Sequence, residues 1–204
     1  GSVDALNYML DKSQALGKKL VVNQSQGVTK GPHDGTTLFE SAYDELVAQR
    51  NLIICIAAGN DQQSDWHGRV NVAAGGSATF SLEKDFVSDP QDVARIYMDF
   101  ECWYPTGEAY NFRVTSPGGS QINIPSSISP QSYPFVTTGH SDQVAYWATT
   151  SHPANGQGFM NVIVYDEGSS GVEAGNWTVQ VFSESGSSGP VDLYCERNQY
   201  TLRV

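Results

Sequence analysis

The sequence predicts an α/β fragment with parallel strands, followed by an all-β antiparallel sandwich of the jelly-roll kind. Three observations lead to this prediction. Helical and strand patterns alternate up to about residue 66, apolar residues then recur at every second position, and clusters of Gly, Ser and Pro separate the later strands. The predicted domains are therefore residues 1–66 and 67–204. With 11% aromatic and 16% charged residues, the 204-residue chain has the composition of a folded protein and not of a disordered one.

A helix and a strand open the first segment. Apolar residues from Val3 to Leu16 fall near one helical face, and Gly17 ends the pattern. Leu20–Val22 is then predicted as a short strand. No initiator Met or signal peptide precedes this helix, so we expect the chain to be a piece of a longer protein.

A second helix and a second strand follow. Thr37 and Glu40 have the spacing of a capping box, in which hydroxyl and carboxylate each satisfy an unpaired backbone amide. The continuous apolar run 52–58 is typical of a parallel strand covered on both faces, and Cys55 within it is expected to be buried. Together with the first strand, these elements predict a βαβ unit.

The second segment shows the alternation of half-buried strands. Ile96, Met98, Phe100 and Cys102 alternate with Arg95, Tyr97, Asp99 and Glu101. Further strands are predicted near 77–82, 112–115, 143–149, 159–165, 177–182 and 190–195. Many short strands without helices indicate a sandwich or jelly roll.

Two loops of the first segment are candidates for a site. They are 24–27, after the first strand, and 59–60, after the second. Parallel strands end at the same edge of a sheet, and open α/β sheets bind ligands at that edge. We therefore expect the two loops to lie together.

These same residues resemble the middle of a subtilisin-family serine protease. Leu20-Val-Val-Asn-Gln-Ser-Gln-Gly27 and Leu52-Ile-Ile-Cys-Ile-Ala-Ala-Gly-Asn60 are similar to that family's V-x-N-x-S-x-G strand end and to its apolar strand ending in A-A-G-N. The resemblance covers about the first 60 residues. A weaker one, in Gly175-Asn-Trp-Thr-Val-Gln-Val181, suggests that residues 67–204 are an inserted β-domain.

The resemblance implies roles for seven residues. Asn60 would donate its side-chain amide to the oxyanion hole, where negative charge develops during acyl transfer. Ser25, Gln26 and Gly27 would form a wall of the substrate cleft, and Ala57, Ala58 and Gly59 would line the main specificity pocket. Gln26 stands where the family usually has an apolar residue, which puts a bulky apolar substrate preference in doubt.

The family's catalytic Asp, His and Ser motifs are missing from the sequence. His67-Gly follows the Asn, whereas the family's His precedes it, and Gly35-Thr-Thr resembles the Ser motif but has Thr in place of Ser. We interpret His67 as a loop residue and the threonines as a helix cap. The expected whole protein is an endopeptidase with Asp and His upstream and Ser downstream, and this segment alone should be inactive.

Two other functions remain open. Trp103-Tyr104 and Tyr146-Trp147 could form a stacking platform in a non-catalytic carbohydrate- or protein-binding module, because adjacent strand residues face opposite ways. The chain could also belong to an inactive protease that acts as a scaffold. His33-Asp34 has turn residues on either side and is interpreted as a turn rather than a catalytic pair.

Composition limits the partners. The net charge of −11 disfavours nucleic acid and anionic membrane surfaces, and no stretch is long and apolar enough to span a membrane. Polypeptide substrate and the remainder of a protease domain are the expected partners, with no cofactor and no metal. An acidic surface is preferred over a calcium site for Asp85, Asp89 and Asp92. The oligomeric state is open.

Compartment and thiol state follow less directly. Low Lys and Arg, together with the resemblance, suit a secreted or cell-envelope protein. The three cysteines are too few for a disulfide framework, and Cys102 and Cys195 could equally pair or remain free.

Overall fold

The computed structural model describes residues 1–48, 52–60, 64–85, 97–128, 135–166, 171–196 and 200–203. The chain divides into two compact units, Gly1–Gln62 and Gln63–Val204. That the first is a partial protease domain and the second an insertion stays a prediction. Within the described residues, no helix is long and apolar enough to cross a membrane.

The first unit contains two helices and two strands. The elements are α1 (Ser2–Ala15), β1 (Leu20–Gln24), α2 (Leu38–Ala48) and β2 (Leu52–Ile56). β1 and β2 pair in parallel, with Leu20 opposite Leu52 and Gln24 opposite Ile56. The side chains of a small core come from both helices and one face of the strands: Leu6, Leu10, Tyr43, Leu46 and Leu52.

Local sequence signals at the helix ends are confirmed. The Glu40 amide donates to the Thr37 hydroxyl (3.2 Å) and the Thr37 amide to the Glu40 carboxylate (3.1 Å), as in a capping box. Gly17, at φ 62°, ends α1 in the left-handed conformation that favours glycine. Leu16 was expected on the apolar face, but it lies past the last helical residue and is 72% exposed.

The predicted α/β class is wrong. The described chain is mostly antiparallel β-sheet with two short helices, and its one parallel sheet has just two strands. A βαβ unit in a sheet covered on both faces is therefore not what the structure shows. Helices pack on one side only, so Ile53 (60% exposed) and Cys55 on the other side are not buried as predicted. An apolar run in the sequence predicts that a strand forms, but it does not show whether another layer of structure covers each face of that strand.

The second unit is a sandwich of two antiparallel sheets. Its strands are β3 (His67–Val72), β4 (Ser77–Lys84), β5 (Tyr97–Tyr104), β6 (Tyr110–Thr115), β7 (Gln121–Ile124), β8 (Phe135–Thr137), β9 (Gln143–Thr149), β10 (Gly158–Tyr165), β11 (Gly175–Ser183), β12 (Gly189–Cys195) and β13 (Tyr200–Arg203). The six-stranded sheet has the order β3-β12-β5-β10-β9-β8, and the five-stranded sheet has the order β13-β4-β11-β6-β7. Both sheets contribute buried apolar side chains to one core, among them Phe100, Phe112 and Trp177.

Strand β5 lies inside its sheet and is buried on both faces. Met98, Phe100 and Cys102 point into the core, as their alternation predicts. Asp99 and Glu101 on the opposite face were expected to be exposed, but they are 3% and 5% exposed. Arg95 and Ile96, at the start of the predicted alternation, lie outside the described residues. Trp103 of β5 itself clusters on this outer face with Phe159 of β10 and Tyr194 of β12, a packing that a single strand's pattern cannot reveal.

Candidate functional site

The two predicted site loops lie at the same edge of the β1–β2 pair. The parallel register runs to Gln24 opposite Ile56, and the Ala57 amide then donates to the Gln24 carbonyl at 3.0 Å. This bond continues the pairing one residue beyond β2. Residues 25–27 and 57–60 therefore leave adjacent strands at their carboxyl ends, where the backbone is free to meet a ligand.

The residues after β2 are small and exposed. Ala57, Ala58, Gly59 and Asn60 all lie at the surface. Gly59 has φ 92°, a conformation that L side chains rarely adopt, so the chain turns sharply just before Asn60. The turn follows the end of β2, and Asn60 is an exposed residue just beyond it.

Hydrogen bonds within the first unit hold the side chain of Gln26. The Ser2 hydroxyl (3.2 Å) and the Gln24 side-chain amide (3.0 Å) both donate to its oxygen. The Tyr43 hydroxyl in turn donates to the Gln24 oxygen at 2.6 Å. Gln26 thus belongs to a network that links β1 to both helices. The other members, Ser2, Gln24 and Tyr43, were not identified from the sequence as part of a network. The one indication in the sequence is that strand alternation places Gln24 on the inward face of β1.

A pocket of about 230 Å³ adjoins this network. Its walls are partly apolar, from Leu6, Met9 and Val22, and partly polar, from Gln24 and Gln26. Ser25 and Gln26, two of the predicted cleft residues, also line it. The Gln26 side chain makes this part of the pocket wall more polar than an apolar side chain would.

His33 and His67 form hydrogen bonds with residues outside the predicted site. His33 has φ 54° in a turn and its ring Nε2 donates to the Thr29 carbonyl at 3.0 Å, in agreement with a turn. His67 begins β3 instead of lying in a loop, so that interpretation is wrong. Its ring stacks on Tyr194 and its Nε2 lies 2.7 Å from the Asp192 carboxylate.

Trp103 and Tyr104 are buried and do not form an open platform, whereas Tyr146 and Trp147 are half-buried. Trp103 is 6% exposed and donates its indole N–H to Glu101 at 2.8 Å. Its ring packs on Phe159, with centroids 4.5 Å apart, and on His152, at 4.9 Å. Burial of the His152 ring lowers the pKa of that side chain. A surface cluster of this kind stabilises its own sheet and leaves little of Trp103 for a ligand.

Possible metal ligands and the cysteine thiols are the remaining candidate groups. Among the residues described, no group of three or more His, Cys, Asp or Glu side chains is arranged to hold a metal ion. Asp85 is exposed, and Asp89 and Asp92 lie outside the described residues. Cys102 and Cys195 are buried on neighbouring strands of the same sheet and are not joined by a disulfide, which answers the open question of their pairing.

Comparison with solved structures finds proteins of similar fold. The chain is similar in fold to the CspB protease of Clostridium perfringens, with a TM-score of 0.81 and 22% sequence identity. The match covers 99% of this chain and 41% of that protein, so the chain spans less than half of its length. No protein-family model and no curated protein sequence matches the chain. At this level of identity the comparison establishes a shared fold.

Proposed function

We propose that these 204 residues are the central part of a subtilisin-like serine endopeptidase. The whole protein would hydrolyse peptide bonds through an acyl-enzyme, with Asp, His and Ser supplied by other parts of its chain. The observation that carries the proposal is the shared edge: the Ala57–Gln24 hydrogen bond brings residues 25–27 and 57–60 to adjacent strand ends. The fold shared with a bacterial protease supports it.

Each predicted site residue has a role that suits its position. The backbone of Ser25–Gly27 would pair with an extended peptide, and the small residues 57–59 would leave room for a substrate side chain. Asn60 would donate its amide N–H to the carbonyl oxygen as negative charge develops there. A neutral, pre-positioned donor stabilises that charge without adding a group that titrates.

The uncovered face of the β1–β2 pair supports the idea that the rest of a protease domain is a partner. Val21 is 65% exposed and Ile53, its register partner, 60%, whereas the opposite face packs on both helices. Adjacent exposed apolar side chains on a sheet are typical of a surface that another layer buries. Further strands and helices of the same protein would provide that layer. We also keep a secreted or envelope location as part of the proposal.

The test uses the full-length protein and three readouts. A fluorophosphonate probe should label the full-length protein and not the 204-residue chain. Asn60→Ala should lower kcat by about 10²–10³ with little change in KM, as the loss of this donor does in subtilisin itself, where the effect is about 2.7–4 kcal/mol. Asn176→Ala, at an exposed position on β11, is the matched control and should leave kcat unchanged.

The outcomes separate the alternatives. No labelling of the full-length protein would exclude the enzyme, and peptide binding without labelling would favour the inactive scaffold. Normal labelling with an unchanged kcat in Asn60→Ala would keep the protease and remove the role assigned to Asn60.

A further inference from the structure

A groove on the outer face of the five-stranded sheet has no part in the proposal above. It has a volume of about 370 Å³ and lies over β6 and β7, beside the end of β11. Its polar lining comes from Asn111, Arg113 and Asn123, and its apolar lining includes Ile124, Pro125 and Phe182. Both its size and its mixture of apolar walls with a few polar groups are those of small-molecule sites.

Neighbouring side chains hold Arg113 in place. Arg113 and Asn123 stand opposite each other on β6 and β7, and the Arg113 Nε donates to the Asn123 oxygen at 2.9 Å. The guanidinium lies over the Phe182 ring, 5.2 Å from its centroid. This contact is a cation–π interaction and fixes the plane of the guanidinium from one side. Within the described residues, no other hydrogen-bond partner engages its terminal amino groups.

All three polar side chains present donors to the groove. The Asn123 oxygen accepts from Arg113, and the Asn111 oxygen accepts from the Ser126 backbone amide at 3.0 Å. Because both partners are donors, they fix which end of each carboxamide is oxygen. In the part of the chain that the structure describes, neither carboxamide nitrogen has a partner. The groove therefore offers N–H groups from two amides and one guanidinium, and none of the described residues that line it carries a carboxylate.

We propose that this groove binds the carboxylate group of a small organic acid with an apolar or ring-shaped body. A guanidinium held in one plane donates two parallel hydrogen bonds to a carboxylate, and the two amides can donate to its remaining lone pairs. Pro125 and Phe182, which are at least partly exposed, would contact the body of the ligand, a surface that a bare inorganic anion does not use. Because the chain carries a net charge of −11, the general field repels anions, and binding must come from these local donors.

The experiment titrates the ¹⁵N-labelled 204-residue chain and follows side-chain amide and arginine Nε signals. Benzoate and glucuronate represent an aromatic acid and a sugar acid, benzamide and glucose are their neutral counterparts, and inorganic phosphate is a third anion. We expect saturable shifts of the Asn111, Arg113 and Asn123 signals with at least one of the two acids, and none with its neutral counterpart. The acid that binds tells which class of body the walls accept.

Two variants and a control test the donors. Arg113→Gln should weaken binding at least about tenfold, the typical effect of losing hydrogen bonds to a charged group. Asn123→Asp keeps an oxygen acceptor for Arg113 but adds a negative charge that offsets the charge of the guanidinium. The chain should stay folded and should bind the acid at least about tenfold more weakly, as with Arg113→Gln. Lys18→Gln removes a positive charge from an exposed position of the first unit and should bind like the parent.

Three results would overturn the proposal. They are the absence of saturable shifts with either acid, equal binding of an acid and its neutral counterpart, and tighter binding of phosphate than of both acids. Unchanged affinity in Asn123→Asp would also contradict it, since that variant leaves the walls of the groove in place.

Discussion

Replacing Gly158 with alanine tests the packing between β5 and β10. Gly158 lies directly opposite Tyr104, and a Cβ atom added to it would sit 1.7 Å from Cε2, 2.2 Å from Cδ2 and 2.3 Å from Cζ of that ring. The new methyl group would therefore overlap the ring itself. Gly158 is not among the residues with positive φ, so the substitution tests space and not backbone strain.

The ring cannot move aside easily. Tyr104 is 2% exposed, its ring meets Tyr110 edge-on with centroids 5.0 Å apart, and its hydroxyl donates to the Thr149 carbonyl at 3.2 Å. If the ring stays and the strands separate, overpacking costs about 1–3 kcal/mol. If the ring is expelled, the loss approaches the roughly 3–5 kcal/mol of deleting a buried aromatic side chain. The expected loss for Gly158→Ala is about 1–3 kcal/mol, since the chain will adopt the cheaper response.

Urea unfolding followed by tryptophan fluorescence measures this loss. All four tryptophans, at positions 66, 103, 147 and 177, lie in the second unit, so the signal reports on that unit. Gly139→Ala is the matched control, because its nearest neighbour, the Ser120 hydroxyl, is at an ordinary 3.5 Å. It should change the free energy of unfolding by no more than about 0.5 kcal/mol.

A double variant identifies the cause. In a chain that already carries Tyr104→Ala, the clash is absent, so Gly158→Ala should cost much less than it does alone. The reasoning is refuted if Gly158→Ala alone costs less than about 1 kcal/mol, or if its cost is the same with and without the Tyr104 ring.

Three further predictions concern charge, thiols and specificity. Burial raises the pKa of Asp192, but the hydrogen bonds from Arg69 and His67 outweigh it and hold that pKa below its usual value. The stabilisation that ionised Asp192 gives is complete above the ordinary pKa of about 4 and is lost as pH falls through the folded value. The free energy of unfolding should therefore fall more steeply below about pH 4 in the parent than in Asp192→Asn. Equal slopes would contradict this, and Asp85→Asn is the control. A thiol-reactive chromophore should react with one cysteine in the folded chain and with three in urea, because Cys55 is exposed and the other two thiols are buried. Cys55→Ser should remove the fast reaction. A second fast-reacting thiol in the folded chain, or fewer than three reactive thiols in urea, would show that this burial or thiol state is wrong. If the proposed protease is correct, Gln26→Leu in the full-length protein should raise kcat/KM for substrates with apolar side chains by about tenfold relative to polar ones, and an unchanged ratio would remove Gln26 from the cleft wall.

Signals that depend on neighbouring residues were readable from the sequence. The capping box of Thr37 and Glu40 forms as predicted, because its partners are only three residues apart. Alternation likewise predicts the long strands of the second unit, such as β10 and β11, since one face of each packs in the core. The shared edge of residues 25–27 and 57–60 follows from the parallel register of two strands alone.

Features set by distant parts of the chain were not readable. The run 52–58 predicts a strand buried on both faces, but burial depends on layers that no local pattern encodes, and β2 is covered on one face. His67 has no neighbour in sequence that marks it as a strand residue, because its partners Asp192 and Tyr194 are more than 120 positions away. Strands β7 and β8, of four and three residues, are too short for alternation to be recognised.

The two outer faces of the sandwich show why aromatic content alone misleads in a search for binding surfaces. On the six-stranded sheet, Trp103 is hydrogen-bonded to Glu101, and Asp99 accepts from Asn161 at 2.7 Å. The Trp147 indole N–H has no partner among the described residues, but it is buried beneath packed rings. On the five-stranded sheet, the Asn111 and Asn123 oxygens accept hydrogen bonds within the protein. Their amide N–H groups and the terminal N–H groups of Arg113 have no partner among the described residues. Polar groups that are held in place but only half satisfied attract a ligand, because binding completes hydrogen bonds without reorganising the protein. Unpaired donors that reach solvent, unlike the buried Trp147 N–H, therefore make the five-stranded face the one to probe.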